Sequence, residues 1–204
     1  YIFILGIFKD ERFAHQKFVK IFLEYHLIDI ISIFVVVRLI YVCKFKIKDF
    51  GVTLTGWKRS IVESLAVSAL MIGVIMLVKH LIIHFYPGTF TDTRTFNFGY
   101  LDISFVFYLL VAPVQEFLAR GTVQGTLEKL LDMKNKTFIA IMVTTFLFGA
   151  LHIAYSFNLA IASFVTSWVW GWMYHRHQNL IGVSISHFLI GVSAGLMGFW
   201  QFFS

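Results

Sequence analysis

Six long apolar stretches separated by short charged segments dominate the chain. They fall at residues 21–43, 61–85, 103–127, 137–156, 158–174 and 180–203, and a further apolar run opens the sequence at 1–8. A helix needs roughly 20 mostly apolar residues to cross a bilayer, and most of these stretches approach or exceed that length. The apolar residues fill whole stretches instead of one stripe, the pattern of helices surrounded by lipid or by one another. The predicted fold class is all-α, a polytopic transmembrane helical bundle of about six to seven spans. The first stretch carries Glu24, Asp29 and Arg38 toward its ends. There, long side chains can snorkel, or the helix can lie partly in the interface. The run 1–8 has neither an initiator Met nor a basic n-region, and reads as the remainder of a span instead of a signal peptide.

Charge in the connections sets an orientation. The segment 44–59 holds Lys44, Lys46, Lys48, Lys58 and Arg59 against Asp49, so it reads as cytoplasmic. The segment 87–102 carries Asp92, Arg94 and Asp102 and reads as external. Lys129, Lys134 and Lys136, and then Arg176 between His175 and His177, return the next two connections to the cytoplasm. Basic segment 9–20 breaks the alternation if 21–43 spans. Pro113 interrupts the third stretch, and a proline inside a span frees a backbone carbonyl that neighbours or water must satisfy.

Composition agrees with this picture. Hydrophobic residues make up 58% of the 204 and charged ones 14%, well under the quarter usual in soluble domains. The net charge of +6 resides in the connections, not along a polar helix face, so nucleic acid is not an expected partner. A single cysteine, Cys43, excludes an internal disulfide and a thiolate metal cluster.

Against this apolar background a few residues stand out. Between Asp102 and Glu128 the only charged residues are Glu116 and Arg120, spaced i, i+4 on one helix face. Each would cost about 2.5–3.5 kcal/mol at mid-membrane, which marks them as functional, although a self-neutralising pair that merely orients the helix is the simpler use. His152 and His187 sit in the second and fourth of the last four stretches. Gly149 and Ala150 beside the first, and Gly191 and Gly195 after the second, favour close helix approach. A lone histidine on an apolar helix is usually structural, yet two of them with a glutamate on three separate spans are what an intramembrane site needs. The set suits hydrolysis by activated water, or a divalent metal such as zinc held by Glu116, His152 and His187, or, less readily, bis-histidine haem ligation. His80 and His84 read as an interfacial pair, and His175 and His177 as a solvated loop.

The residues also form three islands in order. Gln115-Glu116-Phe117-Leu118-Ala119-Arg120 follows a Glu-Glu-x-x-x-Arg pattern, Phe148 to His152 a Phe-x-x-x-His pattern, and His187 opens a His-x-x-x-Asn/Asp pattern. Together they resemble the CPBP family, also called the Abi or CAAX-protease-like family of intramembrane proteases, over about half of the chain. The resemblance divides the chain into N-terminal transmembrane helices and loops, 1–101, and a core, 102–204, that carries the three motifs. It implies an intramembrane endopeptidase in a multi-pass protein of a bacterial plasma membrane. It gives Glu116 the role of base or metal ligand, His152 that of water activation, His187 that of oxyanion stabilisation, with Arg120 holding Glu116 ionised and Gln115 positioning a carbonyl or water. Lipid and a membrane-proximal peptide or protein substrate are the implied partners. Two positions depart from the pattern. Gln115 replaces the leading glutamate, and Gly191 replaces the Asn/Asp. These departures support the alternative to an active endopeptidase, a catalytically silent relative that binds and regulates another membrane protein.

Overall fold

In hydrocarbon no water is available to a free amide, so a spanning segment must satisfy its own backbone as a helix. The computed structural model describes residues 17–153 and 155–202, with side chains for 29–153 and 155–200. All regular structure among them is helical. The apolar run 1–8 and most of basic segment 9–20 lie outside the described residues. The helices are α1 (Lys17–Val42), α2 (Trp57–Phe85), α3 (Ile103–Leu130), α4 (Lys136–His152), α5 (Phe157–His177) and α6 (Ile181–Leu196), followed by a single turn at Phe199–Phe202. Helices α2 and α3 are long and apolar enough to cross a membrane, while α4 and α6 are apolar but shorter. The expected final stretch is thus broken into two helical pieces.

The chain divides into two units, with the boundary between Ile47 and Lys48. In the first, α1 is a single helix whose outer residues Phe34 and Leu39 are exposed. In the second, α2 through α6 form a bundle, with α4 against α5, α2 against α6, and α3 between α4 and α6. Large apolar side chains such as Val62, Leu70, Leu110 and Phe146 point outward from it. An outward-facing apolar surface of this kind suits lipid, where packing between helices relies on small and polar residues instead.

The α2–α6 contact shows that principle. Ser60, Ser64 and Ser68 recur every fourth residue on α2 and are all buried. The Ser60 hydroxyl accepts a hydrogen bond from the Gly182 amide at 3.1 Å, and the Ser68 hydroxyl donates to that of Ser186 at 2.9 Å. A β-carbon at Gly182 would collide with the Ser60 backbone. Gly182→Leu is therefore expected to destabilise the bundle by about 1–3 kcal/mol through overpacking. A thermal midpoint in detergent equal to that of the wild type would contradict this.

The two ends of the bundle differ in charge. At one end the Leu180 amide donates to the Gly51 carbonyl (3.0 Å), the Asn179 side chain to that of Thr55 (2.9 Å), and Lys129 to that of Asp49. The three basic connections in this unit therefore meet at one end, as the charge alternation expects. At the other, the Asn97 amide donates to the Leu196 carbonyl (2.8 Å), and Lys79, near the end of α2, donates to the Arg94 carbonyl (2.6 Å) beneath segment 87–102. His80 and His84 are exposed near this end. His175 and His177 are not in a loop. They occupy the last turn of α5, facing Glu128 and Glu63 respectively.

Candidate active site

Helix α3 supplies most of the polar residues, and its geometry is unusual. Asp102 caps its start, accepting from the Ser104 amide at 2.8 Å. The α-helical part, Ile103–Glu116, passes through Pro113 and gives way to a π-helical stretch, Phe117–Gln124, before returning to α at Gly125–Leu130. Wider i→i+5 turns of this kind concentrate at functional sites. In a regular α-helix each i, i+4 step advances about 40° around the axis, so a row of such residues drifts off one face. The wider turns offset part of that drift.

The row in question is Glu116, Arg120, Gln124 and Glu128, four residues apart along α3. Arg120 Nε donates to Glu116 Oε2 at 3.1 Å, and both side chains are fully buried. Arg120 Nη1 donates to Gln124 Oε1 at 3.3 Å, and Nη2 donates to the Ser167 hydroxyl on α5. Gln124 Nε2 in turn reaches Glu128 Oε1 (3.0 Å) and the Gly171 carbonyl (2.9 Å). The guanidinium also lies over the Phe148 ring, 5.8 Å from its centroid. A buried cation is tolerable only when its donors are used this fully. Sequence reasoning identified the Glu116–Arg120 pair; Gln124 and Ser167, uncharged members of the same network, carried no comparable signal.

The other oxygen of Glu116 faces α6. His187 Nδ1 lies 2.9 Å from Glu116 Oε1, so the carboxylate bridges the arginine and the imidazole. His187 is 4% exposed and enclosed by aromatic rings. Trp170 stacks on it, with centroids 4.4 Å apart and planes 24° apart, while Tyr108 and Phe148 meet it edge-on. Trp170 is fixed through Nε1, which donates to the Ser186 hydroxyl at 3.0 Å. A carboxylate on Nδ1 sets the ring's orientation.

His152 ends α4 and is half-buried. Its Nδ1 lies 2.7 Å from the Phe148 carbonyl oxygen. A carbonyl only accepts, so Nδ1 carries a proton, and in the neutral ring Nε2 is the acceptor nitrogen. The Phe148 ring touches both imidazoles, with centroids 4.7 Å from His152 and 5.8 Å from His187. Gln115, beside Glu116, is half-buried. The fold thus joins Glu116, Arg120 and His187 directly, and sets His152 next to them across one phenylalanine. Of the two small residues before His152, Gly149 packs closely on Ala160 and Phe164 of α5, whereas Ala150 is exposed.

Metal ligation requires donors to converge. Among the described residues no three side chains of His, Cys, Asp and Glu are placed to hold one ion. Both oxygens of Glu116 already accept, from Arg120 and from His187. The trio Glu116, His152 and His187 does not fit a metal in this arrangement.

Residues 97–193 match the family model described as "Type II CAAX prenyl endopeptidase Rce1-like". The matched segment contains all the residues of this site, from Gln115 to Gly191. No curated protein and no solved structure matches the chain.

Proposed function

We propose that the chain is an intramembrane endopeptidase hydrolysing a membrane-proximal peptide bond with activated water, since its residues 97–193 match the Rce1-like family of type II CAAX prenyl endopeptidases. The observation that carries this reading is the pair of differently prepared imidazoles. His152 donates its Nδ1–H to the Phe148 carbonyl, which in the neutral ring makes Nε2 the nitrogen that takes a proton. His187 is held by a carboxylate at Nδ1, so that as an imidazolium it keeps Nε2–H for donation to the substrate.

In the proposed reaction, water gives a proton to His152 Nε2 as its oxygen attacks the scissile carbonyl. His187 Nε2–H donates to the oxygen that gains negative charge. The proton on His152 then passes to the leaving amine. Gln115, an amide that accepts and donates but takes up no proton at neutral pH, orients water or the substrate carbonyl. Glu116 is an alternative proton acceptor, but its oxygens already accept from Arg120 and His187, an arrangement better suited to holding an imidazole. The proposed substrate is a peptide tethered to the membrane, with a prenylated CAAX-type tail as the form suggested by the family's description. The proposed setting is a multi-pass protein of a bacterial plasma membrane, with lipid around the bundle.

The test uses the full chain in liposomes with two fluorogenic peptides, one farnesylated at a CAAX-type tail and one anchored by a plain acyl chain. His152→Ala is expected to lower kcat by about 10²–10⁴-fold. Cleavage of neither peptide by the wild type would sink the endopeptidase reading. Cleavage undiminished in His152→Ala would remove His152 from it.

A second reading, a catalytically silent relative that binds and regulates another membrane protein, is favoured by Gln115, which replaces the leading glutamate of the first motif. It expects no cleavage by the wild type, a co-purifying membrane partner, and cleavage regained in Gln115→Glu.

A further inference from the structure

We propose that Tyr108 is a catalytic residue of this site, its phenol donating to the oxyanion from the position left open by Gly191. This rests on the endopeptidase reading above. Gly191 follows His187 by four residues on α6, so a side chain there would project from the same helix face, beside the imidazole. That volume is not empty. A β-carbon at 191 would collide with the Tyr108 hydroxyl and come within 2.6 Å of Cζ. The phenol end of Tyr108, reaching across from α3, thus fills the place where a polar residue at 191 would begin.

Three observations make the hydroxyl more than packing. The Tyr108 ring meets His187 edge-on with centroids 5.7 Å apart, so the phenol and the imidazole border the same space. Its orientation is fixed by Phe188 and Trp200, whose rings lie against it at 6.1 and 5.9 Å. Among the described residues the hydroxyl has no hydrogen-bond partner, although Tyr108 is only partly exposed on a largely apolar helix. The oxygen is not sealed from its surroundings, so a phenol without a protein partner beside this imidazole can donate to substrate. Its O–H contributes a hydrogen bond and no proton transfer, so the proton path from water to His152 to the leaving amine is unchanged.

The chemistry explains why Gly191 is compatible with activity. Any side chain at 191 would displace the phenol, so the glycine and the tyrosine act as a pair. A donor on α3 replaces a donor on α6. Stabilisation of an oxyanion depends on where a donor points, not on which helix carries it.

The experiment measures kcat and KM for both fluorogenic peptides with the wild type, Tyr108→Phe, and the double variant Tyr108→Ala/Gly191→Asn, each checked for its thermal midpoint. Tyr108→Phe is expected to lower kcat by about 10²-fold, with KM and the midpoint retained. The double variant, which returns a polar donor to α6 in the space vacated by the phenol, is expected to recover at least tenfold over Tyr108→Phe. Wild-type kcat in Tyr108→Phe would overturn this inference and leave the endopeptidase reading standing. No cleavage by the wild type would overturn both. If Tyr108→Phe loses its midpoint as well as its activity, the double variant decides: recovery supports the donor role, and no recovery overturns it.

Discussion

Glu116→Gln is expected to lower the rate of peptide hydrolysis by about 10²–10⁴-fold while substrate binding changes little. Glu116 is fully buried and offers two acceptor oxygens to two donors, His187 Nδ1 and Arg120 Nε. Glutamine fills the same volume but has only one acceptor oxygen, and its NH₂ must face one of those donors. The substitution also removes the negative charge facing His187 Nδ1. An imidazolium donating to the oxyanion then goes unsupported as charge develops, so the transition state loses more than the bound substrate does. Kinetics in liposomes would show this as a fall in kcat with KM retained. A wild-type kcat in Glu116→Gln would show that the carboxylate is structural only.

The second large effect is on stability. Arg120→Met is expected to cost about 3–5 kcal/mol, because it leaves the Glu116 carboxylate buried without its cation. It also removes donors from Gln124 and Ser167. The double variant Glu116→Gln/Arg120→Met replaces the ion pair by neutral groups of similar size and is expected to regain much of this loss while remaining inactive. Thermal unfolding of the three proteins in one detergent measures the coupling. Equal midpoints for Arg120→Met and the wild type would contradict the assignment of the guanidinium as the hub of this network. The two predictions separate roles at one ion pair: the carboxylate is read mainly through rate, and the arginine mainly through stability.

Much of the fold was legible in the apolar pattern because lipid imposes a local rule. A segment that must satisfy its own backbone becomes a helix wherever the apolar run is long enough. Stretch 103–127 and helix α3, Ile103–Leu130, therefore begin together, and α5 extends the 158–174 stretch by only a few residues. The ends were less legible. His175, Arg176 and His177 were assigned to a loop because they are polar, but helix formation continues through them, supported by Glu128 and Glu63 on other helices. Those partners are distant in sequence. The final stretch, continuous in hydropathy, is divided after Leu196, a break that the apolar pattern does not record.

For the site, cost was the legible signal. A charge inside an apolar run stands out, so Glu116 and Arg120 could be found without knowing what they touch, and i, i+4 spacing joined them. Partners that carry no charge could not be found that way. Ser167 is one serine among many, Trp170 one aromatic in an aromatic-rich chain, and Tyr108 one more residue on an apolar helix. Each matters because another helix brings it to Arg120 or His187.

The sequence alone determined that the chain is helical and apolar, which end of each span is basic, and which few residues are too costly to be incidental. These properties follow from local composition and spacing, which lipid acts on segment by segment. Only the tertiary structure decided that Glu116 bridges Arg120 and His187, that the Phe148 ring stands against both imidazoles, and that Tyr108 fills the space beside Gly191. Those depend on how helices far apart in sequence approach one another, and that is set by the packing of small residues and rings between them.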